Sequence, residues 1–282
     1  YTGNGSTQSI TGLGFSPDFV WLKGRNVAYH NRLFDVIRGQ SSLSSDRTNA
    51  EGTSANSSLT SFDTNGFSIT QTSDESYNQS TKTYVGWAWD AGTSTVSNTD
   101  GSITSNVRAS QTNGFSIVSY TGNSTVGSTI GHGLNAQPGL VIIKNRDRSI
   151  NWVVGHLEVD SFKTGRIYLN TSGGQGTDED FFNNTNPTSS VFTVKDNFEV
   201  NYANEDYIAY CFAPVEGYSG FGSYVGTGVS PNFVYLGFRP AFVIVKGTIA
   251  NNWVIYDSTR NPYNVISEGI FSNYSYAEVD NA

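Results

Sequence analysis

Along the chain, short apolar runs stand between long polar stretches, and three of the runs are near copies of one another. Pro17 to Lys23 reads PDFVWLK, Pro138 to Lys144 reads PGLVIIK, and Pro240 to Lys246 reads PAFVIVK. In each, a proline sets the backbone ahead of four consecutive apolar residues, and a lysine ends the run where the segment is expected to meet solvent. A strand with one wet face would alternate, and these runs do not. They are too short for helices, and their β-branched and aromatic bias predicts strands buried on both faces. The copies lie about 100 to 120 residues apart, too far for a solenoid turn and right for a domain of sandwich size. The pattern predicts an all-β protein of three tandem β-sandwich repeats, each built around one central strand.

The flanking elements repeat less evenly. Asn31 to Gly39 (NRLFDVIRG) and Trp253 to Arg260 (WVIYDSTR) share an aromatic, an Asp, two residues and an Arg. The middle copy, Trp152 to His156, places His156 where the others have Asp35 and Asp257. Phe62 to Thr70 predicts two strands around an Asx-rich turn, matched in the second unit by Ser189 to Val194 and Asn197 to Asn201. A closing strand, Tyr84 to Asp90 or Tyr207 to Ala213, alternates large and small residues, which suits close packing of one sheet on another. Ser41 to Ser61 reads as a polar surface loop with at most one short strand. Thr93 to Thr112 reads as a linker with one additional short strand at most. The expected boundaries are repeat one at 1–92, a linker at 93–112, repeat two at 113–217 and a partial repeat three at 218–282. Unit three reaches no closing strand. Unit one opens at Tyr1 within the signature that leads unit two through Asn113 to Asn123, and there is no methionine. The chain reads as a piece of a longer or processed polypeptide, with a strand missing before Tyr1.

Composition narrows the function classes. The 282 residues carry a net charge of −8 with no Lys/Arg run, which argues against a nucleic-acid backbone, acidic carbohydrate or anionic lipid as partner. The single cysteine, Cys211, excludes a disulfide within the chain and sits in an apolar run, where a buried inert thiol is expected. The residues show no signal peptide, membrane-spanning segment or lipidation motif, so membrane insertion is not expected.

Candidate chemistry is sparse. His30, His132 and His156 fall in three contexts without ligand spacing, so no metal and no cofactor is expected. Asp178-Glu179-Asp180 is the one dense acidic cluster; a glycosidase pair or a calcium site would need carboxylates converging from elsewhere, and a solvated turn is the simpler reading. The pairs Asp35/Arg38 and Asp257/Arg260 are candidate ligand contacts or, preferably, local salt bridges pinning a loop. Trp21, Trp152 and Trp253 are expected in the core. Trp87 and Trp89 share a face of their strand and form either a sugar-stacking platform or a packing pair, since unit two has Tyr210 and Phe212 in those slots.

Taken together, PDFVWLKGR, LFDVIRG, SSDRTNAE, LTSFDTNGFSI and YVGWAWDAG of unit one, with YTGN, IIKNRD, NWVV, SSVFTV and YIAYCFAPVEGYS of unit two, resemble an uncharacterised repeat domain of tail-fibre and related virion proteins of marine and freshwater phages. The resemblance covers units one and two almost completely and the first half of unit three. It implies a jelly-roll or concanavalin-like, lectin-like sandwich at a host-facing part of a virus particle, and it brings no catalytic site. The expected function is therefore a non-enzymatic virion structural protein that adheres to host-surface glycans, with other virion proteins and copies of itself, as a homotrimer, for partners. The alternatives are a tail polysaccharide depolymerase, a capsid decoration protein or a bacterial surface adhesin.

Overall fold

The computed structural model describes residues 1–52, 59–159, 162, 165–176 and 181–280. The described residues form antiparallel sheets and contain no α-helix. In the first part of the chain, β1 (Gln8–Thr11), β2 (Phe19–Gly24), β3 (Arg32–Asp35), β4 (Leu59–Asp63), β5 (Gly66–Ile69) and β6 (Tyr84–Trp89) make two three-stranded sheets, in the orders β3-β2-β6 and β1-β5-β4. Val20, Leu22, Phe34, Phe67 and Ile69 pack between them as a sandwich-like core.

The second part contributes β7 (Thr95–Asn98), β8 (Ser105–Ser110), β9 (Phe115–Thr121), β10 (Ser128–Gly131), β11 (Leu140–Asn145), β12 (Trp152–His156), β13 (Ile167–Tyr168), β14 (Val191–Val194) and β15 (Asp206–Phe212). They form a seven-stranded sheet, β13-β12-β11-β15-β9-β8-β7, faced by the pair β10-β14. Val141, Ile143, Val153, Phe192 and Val194 fill the space between. The third part is a single sheet of β16 (Phe242–Val245), β17 (Val254–Asp257), β18 (Glu268–Phe271) and β19 (Val279–Asp280) in sequence order.

The three proline-led runs occupy matching places. Each pairs antiparallel with the following strand in one register, with Phe19 opposite Asp35, Leu140 opposite His156 and Phe242 opposite Asp257. Because alternate residues face opposite sides of a sheet, Val20 and Leu22 enter the first core while Phe19 and Trp21 point away from it into a further cluster. That cluster joins all three parts, drawing in Ile142, Trp152, Trp253 and Ile255, and each such side chain contributes about 1.5–3 kcal/mol by leaving water. The continuous apolar runs thus reflect sheets covered by a sandwich partner on one face and by the shared cluster on the other.

Several expectations need correction. Two of the three lysines do not reach solvent: Lys23 and Lys144 are 0% exposed, whereas Lys246 is half-buried. The Nζ groups of the first two turn back to donate to loop carbonyls, Lys23 to Tyr29 at 2.7 Å and Lys144 to Arg148 at 2.9 Å. The stretch 93–112 is no mere linker, because β7 and β8 extend the seven-stranded sheet beyond β9. Their outer position lets them be polar, with Val107 the buried anchor of β8, so composition hid them. Ser42 to Ser45 are buried rather than looped over the surface, tied to β3 by the Leu33–Leu43 bridge. Asn197 to Asn201 contains a turn in place of a strand, with Asn197 Oδ1 accepting from the Glu199 amide at 2.8 Å. The third run, Phe242–Val245, is only half-buried, and among the described residues β16 ends its sheet, with no strand where β6 and β15 flank β2 and β11.

Candidate functional site

The shared core is where the charged candidates converge. Asp35 ends β3, and its Oδ1 accepts from the amides of Ile37 at 3.0 Å and Arg38 at 2.9 Å, which folds the turn back on itself. Its Oδ2 takes Arg38 Nε at 2.5 Å, with neither side chain exposed. Arg38 also donates to Leu33 O at 3.0 Å, to Glu51 at 3.0 Å and to the Tyr210 hydroxyl at 3.1 Å. Tyr210 Oη donates in turn to Asp35 Oδ2 at 2.8 Å. Burial alone would pull the Arg38 guanidinium down, yet Asp35, Tyr210 and Glu51 hold it above its ordinary range, so it stays charged. Burial above all, with the neighbouring Asp35 carboxylate, keeps the Tyr210 phenol well above its usual value.

Asp257 and Arg260 repeat this design. Asp257 Oδ1 accepts from the Thr259 and Arg260 amides, and Oδ2 pairs with Arg260 Nε at 2.5 Å. Where the first pair meets Tyr210 of β15, this pair meets Trp87 of β6, whose Nε1 donates to Asp257 at 3.1 Å. Burial would raise the Asp257 carboxyl, but Arg260 and Trp87 hold it below its ordinary value. Tyr210 and Trp87 occupy the same slot, opposite Ile142 and Trp21 respectively. The local salt bridges are thus present and buried, and they serve in addition as joints between parts of the chain. Such a pair is costly to break, since removing one partner strands a buried charge.

The tryptophan pair faces the same interior. Trp87 is 8% exposed and meets Trp21 and Phe242 edge-on, with ring centroids 6.1 and 5.6 Å away. Trp89 packs among Phe19, Phe115, Phe212 and Phe242. A sugar platform needs an open ring face, and the packing around Trp87 leaves none, while Trp89 is half-buried against the same aromatic cluster.

A second set of bonds runs in a circle. Trp152 Nε1 donates to Ser44 O at 2.9 Å, Trp253 Nε1 donates to Tyr168 O at 2.9 Å, and Asn31 Nδ2 donates to Phe271 O at 3.1 Å. Asn31 holds the position of the two tryptophans, one step beyond the Leu22–Arg32 pair, and is itself fixed by Trp21 Nε1 at 3.0 Å. Ser44, Tyr168 and Phe271 are also equivalent, each following the residue that bridges to the second strand of its hairpin. The three hairpins thus grip one another head to tail around the shared core. Residue types alone did not reveal this; the matching slots of Trp87 and Tyr210, both aromatic with a polar edge, were the available signal.

His30 lies apart, with Nδ1 2.6 Å from Asp46 Oδ2, and burial holds His132 and His156 below their ordinary range. The Cys211 thiol is pushed up to about 12 by burial. Asp178, Glu179 and Asp180 lie outside the described residues. Among the described residues no three His, Cys, Asp or Glu side chains gather as a metal site, and no helix is long and apolar enough to cross a membrane. A family model described as a domain of unknown function (DUF7483) matches residues 1–282. No curated protein and no solved structure matches the chain.

Proposed function

The chain belongs to the DUF7483 family, and we propose from its geometry that it is a non-enzymatic structural and adhesive component of a phage particle, a tail fibre or another host-facing appendage. The observation that carries this reading is the use to which the charged motifs are put. Asp35, Arg38, Asp257 and Arg260 each bond across the boundary between parts of the chain or to a residue that does, and none opens on a cleft. An enzyme presents such groups to substrate. Here they cement three sheets into one body, as a load-carrying module requires.

In the same proposal, the three hairpins are the centres of three tandem jelly-roll-like repeats, the third incomplete. Copies of the chain assemble as a homotrimer with other virion proteins as neighbours, and loops contact host-surface carbohydrate, weak single contacts being multiplied by symmetry. The purified chain, incubated with host surface polysaccharide, is expected to bind it and to release no new reducing ends. Reducing ends that disappear on Asp178→Asn or Glu179→Gln substitution would replace this reading with a depolymerase. Labelling of intact particles with an antibody to the chain tests its place on the virion.

A further inference from the structure

We propose that the ring of three hairpins is built to open at one place, the joint between the second and third parts, while the other two joints stay closed. The inference does not depend on which particle the chain serves. Each joint has the same backbone contact, in which an amide of one part donates to the carbonyl two residues past the lysine that ends the next central run. Glu51 N meets Arg146 O at 2.8 Å, Glu278 N meets Arg25 O at 2.7 Å, and Gln175 N meets Thr248 O at 2.7 Å. In the first two, charged side chains complete the joint. Glu51 accepts from Arg38 at 3.0 Å and from Arg146 at 2.6 Å, and Glu278 accepts from Arg260 at 2.6 Å and from Arg25 at 2.8 Å. Each carboxylate thus bridges the arginine of its own Asp-Arg turn to an arginine of the neighbouring part.

At the third joint all four of these positions are uncharged. His156 stands in register with Asp35 and Asp257. Val159, three residues on, takes the place of Arg38 and Arg260, while Gln175 and Thr248 take those of the bridging carboxylate and the second arginine. Burial keeps His156 below its ordinary range, so the ring is neutral at neutral pH. The contacts that cross the joint are neutral as well: Asn251 N donates to Ser172 O at 2.7 Å, Trp253 Nε1 donates to Tyr168 O at 2.9 Å, and Phe221 packs on Phe212 with ring centroids 6.3 Å apart. Charge-assisted bonds are roughly twice as strong as neutral ones, which makes this joint the weakest of the three. The covalent connection permits the parting. Every residue from Gly222 to Gly237 is exposed and none lies in a strand, and a long free tether resists separation little. The first and second parts are instead joined by a short turn, pinned where Asp18 accepts from the amide of buried Ala91 at 2.8 Å and from Arg108 at 2.7 Å. Opening at the neutral joint lets the third part turn on the first, to which Glu278 and Arg260 still hold it, and uncovers Trp253.

The test is native-state hydrogen exchange on the 282-residue chain, followed by NMR with each site corrected for its intrinsic rate. The Gln175 and Asn251 amides and the Trp253 indole N–H should open together. They should be about tenfold or more less protected than their counterparts at the closed joints, the Glu51 and Glu278 amides and the Trp152 indole N–H. A chain carrying Gln175→Glu and Thr248→Arg together supplies the missing ion pair. It should raise the protection of the Asn251 amide and the Trp253 indole N–H about tenfold and leave Glu51 and Glu278 unchanged, and neither substitution alone should do so. The proposal fails if the third joint is protected as well as the other two, or if the added pair changes nothing there. It fails equally if the Gln175 amide is fast while Asn251 and the Trp253 indole stay slow, since that is fraying of one loop.

Discussion

Removing the Tyr210 hydroxyl is the sharpest probe of the joint between the first and second parts of the chain. The oxygen makes two bonds to charged partners, donating to Asp35 at 2.8 Å and accepting from Arg38 at 3.1 Å, in a site from which water is excluded. Hydrogen bonds to charged groups are worth about 1.5–3 kcal/mol each. Two features limit the loss: Arg38 Nη2 keeps Leu33 O at 3.0 Å, and Asp35 Oδ2 keeps Arg38 Nε at 2.5 Å. The phenylalanine ring fills the same space, so no cavity term is added. Tyr210→Phe should therefore cost about 1.5–3 kcal/mol in total, or roughly 3–6 °C in Tm for a chain of this size. Asp35→Asn keeps the shape but removes the charge facing Arg38 and should cost more, about 3–5 kcal/mol. The double mutant should cost less than the sum by about 1 kcal/mol or more, because the groups form one network. Urea unfolding followed by tryptophan fluorescence reports on the joint directly, as Trp21, Trp87, Trp152 and Trp253 lie in the shared core and Trp89 packs against it. A Tyr210→Phe protein within about 0.5 kcal/mol of the parent, or an Asp35→Asn protein whose first part unfolds while the second stays intact, would refute the idea that this core binds the parts together.

Trp87→Phe should weaken the matching joint to the third part by about 1–3 kcal/mol through loss of the bond to Asp257, and limited proteolysis should then attack residues after 218 first. Stability should rise with pH on the alkaline side. Burial lowers Lys23 and Lys144 to about 8, against about 10.4 in the unfolded chain, so between these values the unfolded state binds more protons and the penalty of burying each charge fades. The gain is about 2–4 kcal/mol per lysine, and Lys144→Met should remove about half of the rise in a Tm series from pH 7.5 to 9.5. Above that window Tyr120 and Tyr210, raised by burial, work in the opposite sense, and stability falls as they ionise.

The periodicity of the chain carried the class of its elements by itself. Runs such as Phe19-Val20-Trp21-Leu22 are too apolar for a half-wet strand, and Asp35 with Arg38 three residues on declared a self-bonded turn, because these are local consequences of side-chain chemistry. The repeated registers followed from the same local pattern. What covers the second face of each central strand was decided only by the tertiary structure. Trp87 and Trp89 carry one alternation whether they face a sugar, water or another sheet, and the distinction rests on Phe242, about 150 residues away in sequence. The destination of the lysines was equally hidden, since a long amine at a strand end can point to solvent or turn back, and carbonyls such as those of Tyr29, Ser275 and Arg148 make the inward course favourable. β7 and β8 disappeared into a polar stretch because an outer strand needs backbone partners more than apolar side chains, and a backbone partner leaves no mark in composition.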